Sequence, residues 1–116
     1  MAMLRRLGVP EGEMLNVQCN LAITYASLGR FEHASLMQRD VYSGRLQLLG
    51  EQHEETLIAA CNYANSLYDL QRFGEAKAFM RRTLPVARRV LGESDALMLR
   101  MRWGYAYALY KDPTSS

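Results

Sequence analysis

Apolar residues recur at spacings of three and four along the first third of the chain, which is the pattern of an amphipathic helix. The positions on its apolar face are Leu15, Leu21, Ala22, Tyr25 and Leu28. Gly29 interrupts the pattern and suits the left-handed residue that ends many helices. A second helix is predicted from about Phe31 to Leu49, where Gly50 ends it. Because the turn is short, the two helices must run antiparallel as a hairpin.

The same pattern follows a second time. Helices are predicted over about residues 54–70 and 73–91, and Gly92 ends the second of them. Gly44 and Pro85 lie inside the long second helices of the two hairpins. Both residues disfavour a helix interior, and we interpret them as bends in one long helix rather than as boundaries.

A shift of 42 residues superimposes the chain on itself. Residues 8–49 and 50–91 share 12 identities in 42 positions without a gap. Such a period indicates an array of repeated structural units. A third copy begins at Gly92 and stops after half a unit. Its segment Trp103–Tyr107 alternates as a strand would, but the repeat register predicts a helix.

These observations predict an all-α chain with a single domain over residues 1–116. Its parts are the tail of a preceding helix (1–7), repeat 1 (8–49), repeat 2 (50–91), the first helix of a partial repeat 3 (92–112) and a tail (113–116). The half units at both ends lead us to expect a piece of a longer array.

The repeated motif resembles a known family. Asn20-Leu21-Ala22-x-x-Tyr25-x-x-Leu28-Gly29-Arg30-Phe31-x-x-Ala34 is similar to a tetratricopeptide repeat, and residues 62–76 carry a second copy. The 42-residue period and the Leu-Gly-Glu at residues 49–51 and 91–93 resemble the kinesin-light-chain subtype. Gln71 and Gln38 depart from the pattern, at a turn glycine and at a position that is usually aromatic. The resemblance implies a right-handed α-solenoid of about two and a half repeats, whose first helices line a concave groove for peptides or partner helices.

The resemblance also implies which side chains line this groove. They are Asn16, Cys19, Asn20, Ile23 and Ser27 in the first unit, Ile58, Cys61, Asn62, Asn65 and Asp69 in the second, and Arg100, Trp103, Tyr107 and Lys111 in the third. Asparagine is a poor helix former, so its presence within the predicted helices at Asn20 and Asn62 needs an explanation. Their amides either hold the backbone of a bound peptide or tie adjacent helices together.

Composition narrows the class of protein. The hydrophobic fraction of 49% and charged fraction of 22% are those of a globular domain. No apolar run reaches the roughly 18–20 residues of a membrane span, and the first residues lack the apolar region of a signal peptide. The net charge of +2 gives no indication of a nucleic-acid or membrane partner. We expect a soluble, cytoplasmic protein.

No catalytic, metal or cofactor motif emerges. His33 and His53 lie in different units, and residues 51–55 lack the second histidine of a zinc-protease helix. Cys19 and Cys61 occupy equivalent positions, but equivalent helices lie too far apart for the ~7 Å that a disulfide allows between Cα atoms. The sequence therefore predicts a protein that is not an enzyme.

Residues 72–91 carry six basic residues and one glutamate, Glu75. We interpret this stretch mainly as a solvated outer face, with an acidic protein partner or a nucleic acid as alternatives.

Two functions fit these features. The first is a scaffold that binds a peptide or helical segment; the second is a regulatory arm of a larger signalling protein or enzyme. Tyr105, Leu109 and Tyr110 are expected on the face that the missing half unit leaves uncovered, which predicts weak self-association.

Overall fold

A computed structural model describes residues 10–113, and five α-helices occupy most of this range. They are α1 (Glu11–Ser27), α2 (Phe31–Leu49), α3 (Glu54–Asp69), α4 (Phe73–Leu91) and α5 (Ala96–Lys111). Within residues 10–113 there is no β-strand. The predicted all-α repeat fold is confirmed.

The helix bounds agree closely with the repeat register. Helices α2 and α4 have the predicted bounds, and α3 ends one residue earlier than predicted. The segment Trp103–Tyr107 is helical, so the register rather than the alternating pattern decides its structure. The predicted helix tail at residues 1–7 lies outside the described residues.

Helices α3 and α5, the first helices of the second and third units, are each capped at the N-terminus by a polar side chain. The Nδ1 atom of His53 accepts from the backbone N–H of Glu55 at 3.1 Å, at the start of α3. The carboxylate of Asp95 accepts from the backbone N–H of Leu97 at 2.8 Å, at the start of α5. Both bonds satisfy a donor that a helix start leaves free. His53, in the segment 51–55 that was compared with a zinc-protease helix, therefore caps the N-terminus of α3.

The helices stack in the order expected of a hairpin array. Helix α2 packs against α1 and α3, α4 packs against α3 and α5, and α3 also contacts α5. The resulting body is elongated, with extents of 47 × 32 × 20 Å. An apolar cluster joins α3, α4 and α5 and includes the buried side chains of Leu57, Met80 and Met98.

The aromatic ring of Phe79 in α4 fixes the stacking of the second hairpin on the first. It meets Tyr42 of α2 and Tyr63 of α3 edge to face, with ring centroids 5.1 Å apart in both pairs. Edge-to-face aromatic pairs are favourable beyond the area that they bury.

Gly44 has a packing role that the sequence did not reveal. Both α2 and α4 continue as helices through Gly44 and Pro85, as predicted. A Cβ atom at Gly44 would lie 2.6 Å from Cδ2 of Leu15 in α1. The missing side chain therefore lets α1 and α2 approach closely.

One residue of the basic stretch 72–91 is not on a solvated face. Lys77 is 1% exposed, donates to the backbone carbonyl of Asp112 and lies 3.6 Å from its carboxylate. The interpretation as an outer face is wrong for this residue, because its ammonium group binds the carboxyl end of α5, where helix carbonyls favour a cation. The five arginines of the stretch are exposed, and Arg72 pairs with Glu32 at 2.9 Å.

The turn residue Gln71 gives a first prediction. Gly29 and Gln71 occupy equivalent turns and have φ angles of +79° and +60°. A side chain in this left-handed region costs about 1 kcal/mol. We expect Gln71→Gly to raise the free energy of unfolding by about that amount in a denaturant titration.

Gly29→Ala is the matched control and should lower the free energy of unfolding, because a Cβ at Gly29 meets no neighbour within 4 Å and the backbone angle alone decides the effect. A stability loss in Gln71→Gly would contradict this account of the turn.

Candidate functional site

Two adjoining cavities lie between α1 and α3, and the predicted groove residues line them. The first, of about 380 Å³, is lined by Asn16, Cys19, Asn20, Ile58 and Asn62 together with residues of α2. The second, of about 400 Å³, is lined by Ile23, Ser27, Asn62, Asn65 and Asp69 together with residues of α1, α2 and α3. Asn62 lines both. The structure thus brings together all five residues predicted in the first unit and four of the five in the second; this surface is called the α1–α3 groove below.

The two asparagines at equivalent repeat positions differ in their contacts. The side-chain amide of Asn62 donates to the thiol of Cys19 at 3.7 Å, so it links α3 to α1 through a weak bond. Asn20 is exposed, and within residues 10–113 its amide has no hydrogen-bond partner. The Asn20 amide is thus free to donate and accept at the surface of the groove.

The floor of the groove comes from α2, which was not expected to contribute to it. Arg45 is 8% exposed, lines the first cavity and donates to the amide oxygen of Asn16. No carboxylate among the described residues pairs with this guanidinium. Gln38 is 5% exposed, lines the second cavity, and its buried Oε1 atom has no partner in the described part of the chain. A buried charge and a buried acceptor without full partners are costly unless a ligand supplies them.

The sequence contained a signal for each of these residues. The repeat shift aligns Arg45 with Ala87, a fully buried small residue, so it places a charge at a core position. Gln38 stands at a position that is usually aromatic in the family that the motif resembles. In both cases, a polar residue at a position that is normally buried and apolar marked a residue of the groove floor.

The groove carries charged side chains at both ends. Arg45, which is buried, and Glu55, which is exposed, line the first cavity, and Asp69, whose carboxyl pKa is raised by burial, lines the second. Residues 55–69 of α3 extend over about 21 Å at 1.5 Å per residue. An extended peptide of roughly six residues covers that length at about 3.3 Å per residue.

Cys61 does not line the groove. It is 4% exposed and belongs to the hydrophobic cluster that α3 forms with α4 and α5. Burial raises the pKa of its thiol, and the nearby Arg100 partly offsets that rise. The expected groove position is therefore a core position. Both cysteines are free thiols.

The predicted residues of the third unit are dispersed. Arg100 is exposed, and Lys111 lies over the rings of Tyr107 and Tyr110. Trp103 is 71% exposed and lines a different cleft, between α4 and α5. Tyr107 contacts Phe73 and Tyr68 edge to face, so it joins α5 to the end of α3 and the start of α4. None of them lines the two cavities of the α1–α3 groove.

Residues 10–113 contain no group of three or more histidine, cysteine, aspartate or glutamate side chains placed to hold a metal ion. No helix in the same range is long and apolar enough to cross a membrane.

The hydroxyl of Tyr68 gives a second prediction. Its Oη atom is buried with no hydrogen-bond partner among the described residues, above Gly104 of α5, and burial raises its pKa to about 12. Tyr68→Phe removes an unsatisfied polar atom, so the free energy of unfolding near neutral pH should hold or rise by up to about 1 kcal/mol.

The same variant should differ from the wild type in its pH dependence. Unfolded tyrosine loses its proton near pH 10, whereas native Tyr68 keeps it until about pH 12. The wild type should therefore lose stability between these pH values by an amount that Tyr68→Phe does not lose. Chemical denaturation from pH 7 to 12 measures this, with the exposed Tyr110→Phe as control. Early melting of Tyr68→Phe at neutral pH would show that the hydroxyl has a partner.

Comparison with known proteins identifies the repeat. A family model described as tetratricopeptide repeat matches residues 13–89, about two thirds of the chain. No curated protein and no solved structure matches the chain significantly.

Proposed function

The chain belongs to the tetratricopeptide repeat family, and we propose that it is a non-catalytic scaffold that holds a partner peptide in the α1–α3 groove. Repeats of this family generally mediate protein–protein interaction and are typically non-catalytic. The observation that carries the proposal is that two cavities meet at Asn62 and are lined by residues from three helices.

The chemistry of the groove fits an extended backbone. The Asn20 and Asn62 amides offer donors and acceptors at its sides, and the Gln38 Oε1 atom offers an acceptor at its floor. Arg45 favours a carboxylate of the partner at one end, because the guanidinium is buried and its side-chain hydrogen-bond partner, the Asn16 amide, is neutral. Ile23 and Ile58 supply exposed apolar area between these polar groups. The groove thus combines backbone recognition with apolar contact.

We further propose that the array is of the kinesin-light-chain-like kind, in which the groove receives a segment of a cargo protein. The 42-residue period and the Leu-Gly-Glu junctions support this assignment. The partner itself would be a peptide or helical segment rather than a nucleic acid or a membrane surface.

Replacement of both asparagines tests the groove. In a display library of random decapeptides, we expect the wild-type chain to select binders, and Asn20→Ala/Asn62→Ala to bind the selected peptides about tenfold or more weakly. Each lost hydrogen bond is worth ~0.5–1.5 kcal/mol. Alanine is the better helix former, so the melting temperature measured by circular dichroism should hold or rise.

Gln52→Ala is the control, because Gln52 is an exposed loop residue away from the groove. It should leave binding unchanged. A double variant that melts early would assign the amides to structural links between helices. Unchanged binding in a stably folded double variant would contradict the proposed site.

A further inference from the structure

A second cleft, of about 680 Å³, lies between α4 and α5 and is separate from the α1–α3 groove. Apolar side chains line it, including Leu84, Trp103 and Tyr105, together with three arginines: Arg81 and Arg88 of α4 and Arg102 of α5. This surface is called the end cleft below.

The internal repeat shows that a helix covers the equivalent surface one unit earlier. Leu57 and Ala64 of α3 are 2% and 1% exposed beneath α4. Their equivalents in α5 are Leu99, which is 50% exposed, and Ala106, which is also exposed. The end cleft therefore has the shape that receives a helix, without one in the described chain.

The manner of insertion can also be inferred from the repeat. Phe79 of α4 inserts between Tyr42 and Tyr63. One repeat later, Leu84 corresponds to Tyr42 and Tyr105 corresponds to Tyr63, and both line the end cleft. An apolar side chain of an incoming helix fits between them in the same way.

The charges of the end cleft differ from those of the covered surface. Arg102 stands where α3 has Ala60, Arg88 where α2 has Leu46, and Trp103 where α3 has Cys61. A helix with the apolar contact face of α4 would bury these two guanidinium groups with one shared carboxylate, that of the exposed Glu93, as their partner, which is costly. A helix that brings its own carboxylates therefore suits the end cleft better than another copy of α4.

The described chain neutralises these arginines in part. Glu93 lies 2.6 Å from Arg88 and 3.2 Å from Arg102, and Arg81 has no ion pair among the described residues. Three positive charges therefore face one negative charge in a cleft that apolar side chains also line.

We propose that the end cleft binds an amphipathic helix of a partner protein that carries carboxylates along its edges. Its apolar face packs on Leu99 and Trp103, and its carboxylates pair with the arginines. Arg81 and Arg88 are seven residues apart, about 10 Å along α4, so carboxylates seven residues apart on the partner match them. A second copy of this chain is disfavoured as the occupant, because pairing through the same surface sets arginines against arginines.

The fluorescence of Trp103 reports binding at the end cleft, because Trp103 is the chain's single tryptophan and lines this cleft. The probes are two Ala-rich helical peptides of about 18 residues, with the same Leu and Phe face and either Glu or Lys at the edges. The Glu peptide should cause a saturable blue shift of Trp103 emission, and the Lys peptide should bind about tenfold more weakly. Added salt should reduce this difference.

Charge reversal at matched positions distinguishes binding at the end cleft from non-specific electrostatic attraction to the protein. Arg81→Glu should weaken binding of the Glu peptide several-fold, whereas Arg39→Glu, the exposed equivalent one repeat earlier, should not. Equal affinity of the two peptides, equal effects of the two variants, or no Trp103 shift would each overturn the proposal.

Two further measurements distinguish other occupants. A blue shift that grows with protein concentration in the absence of peptide, together with a dimer in sedimentation, would assign the end cleft to a second copy and overturn the proposal. The Asn20→Ala/Asn62→Ala variant should keep the full Trp103 response to the Glu peptide. Loss of that response would place the peptide in the α1–α3 groove and overturn the end cleft as the site.

Discussion

The insertion of Phe79 between Tyr42 and Tyr63 joins three helices, and the rest of the molecule depends on it. A hairpin of two helices cannot bury both of its apolar faces, so each hairpin needs the next one to cover it. The cluster around Leu57 and Met98 is the result, and it extends from α3 through α4 to α5. Stability is therefore built by contact between units, and any surface that a neighbour does not cover keeps an apolar face.

The same stacking explains why the α1–α3 groove has a floor of unusual chemistry. Helices α1 and α3 lie side by side against α2, so residues of α2 become accessible between them. Arg45 and Gln38 lie there in place of the small or aromatic residues that would close the gap. Their burial lowers the cost of binding a ligand that satisfies them, because they have little hydration left to lose. In the proposed function, the helix behind the groove determines which peptide fits, while the helices at its sides hold the backbone.

The two proposed recognition surfaces differ in how they relate to the repeat. In the groove, the proposal gives equivalent residues of neighbouring units, Asn20 and Asn62, the same role. In the end cleft, equivalent residues differ, and Arg102 replaces Ala60 where a standard helix would pack. The first surface arises from repetition and the second from a departure from it. A protein with both can hold an extended segment and a helix at separate places.

The sequence by itself determined the helices, their order and most of the groove. The 42-residue period and the glycines that end helices can be read along the chain, so the bounds of α2 and α4 could be predicted, and the resemblance to the repeat family implied the position of Asn62 in the groove. Tertiary structure alone decided which side chains are buried. Cys61 lies in the cluster that α3 shares with α4 and α5, and Lys77 lies against the end of α5, because a helix contacts several neighbours whose distances no spacing in the sequence encodes. Periodicity fixes the face on which a residue lies, but packing decides what covers that face.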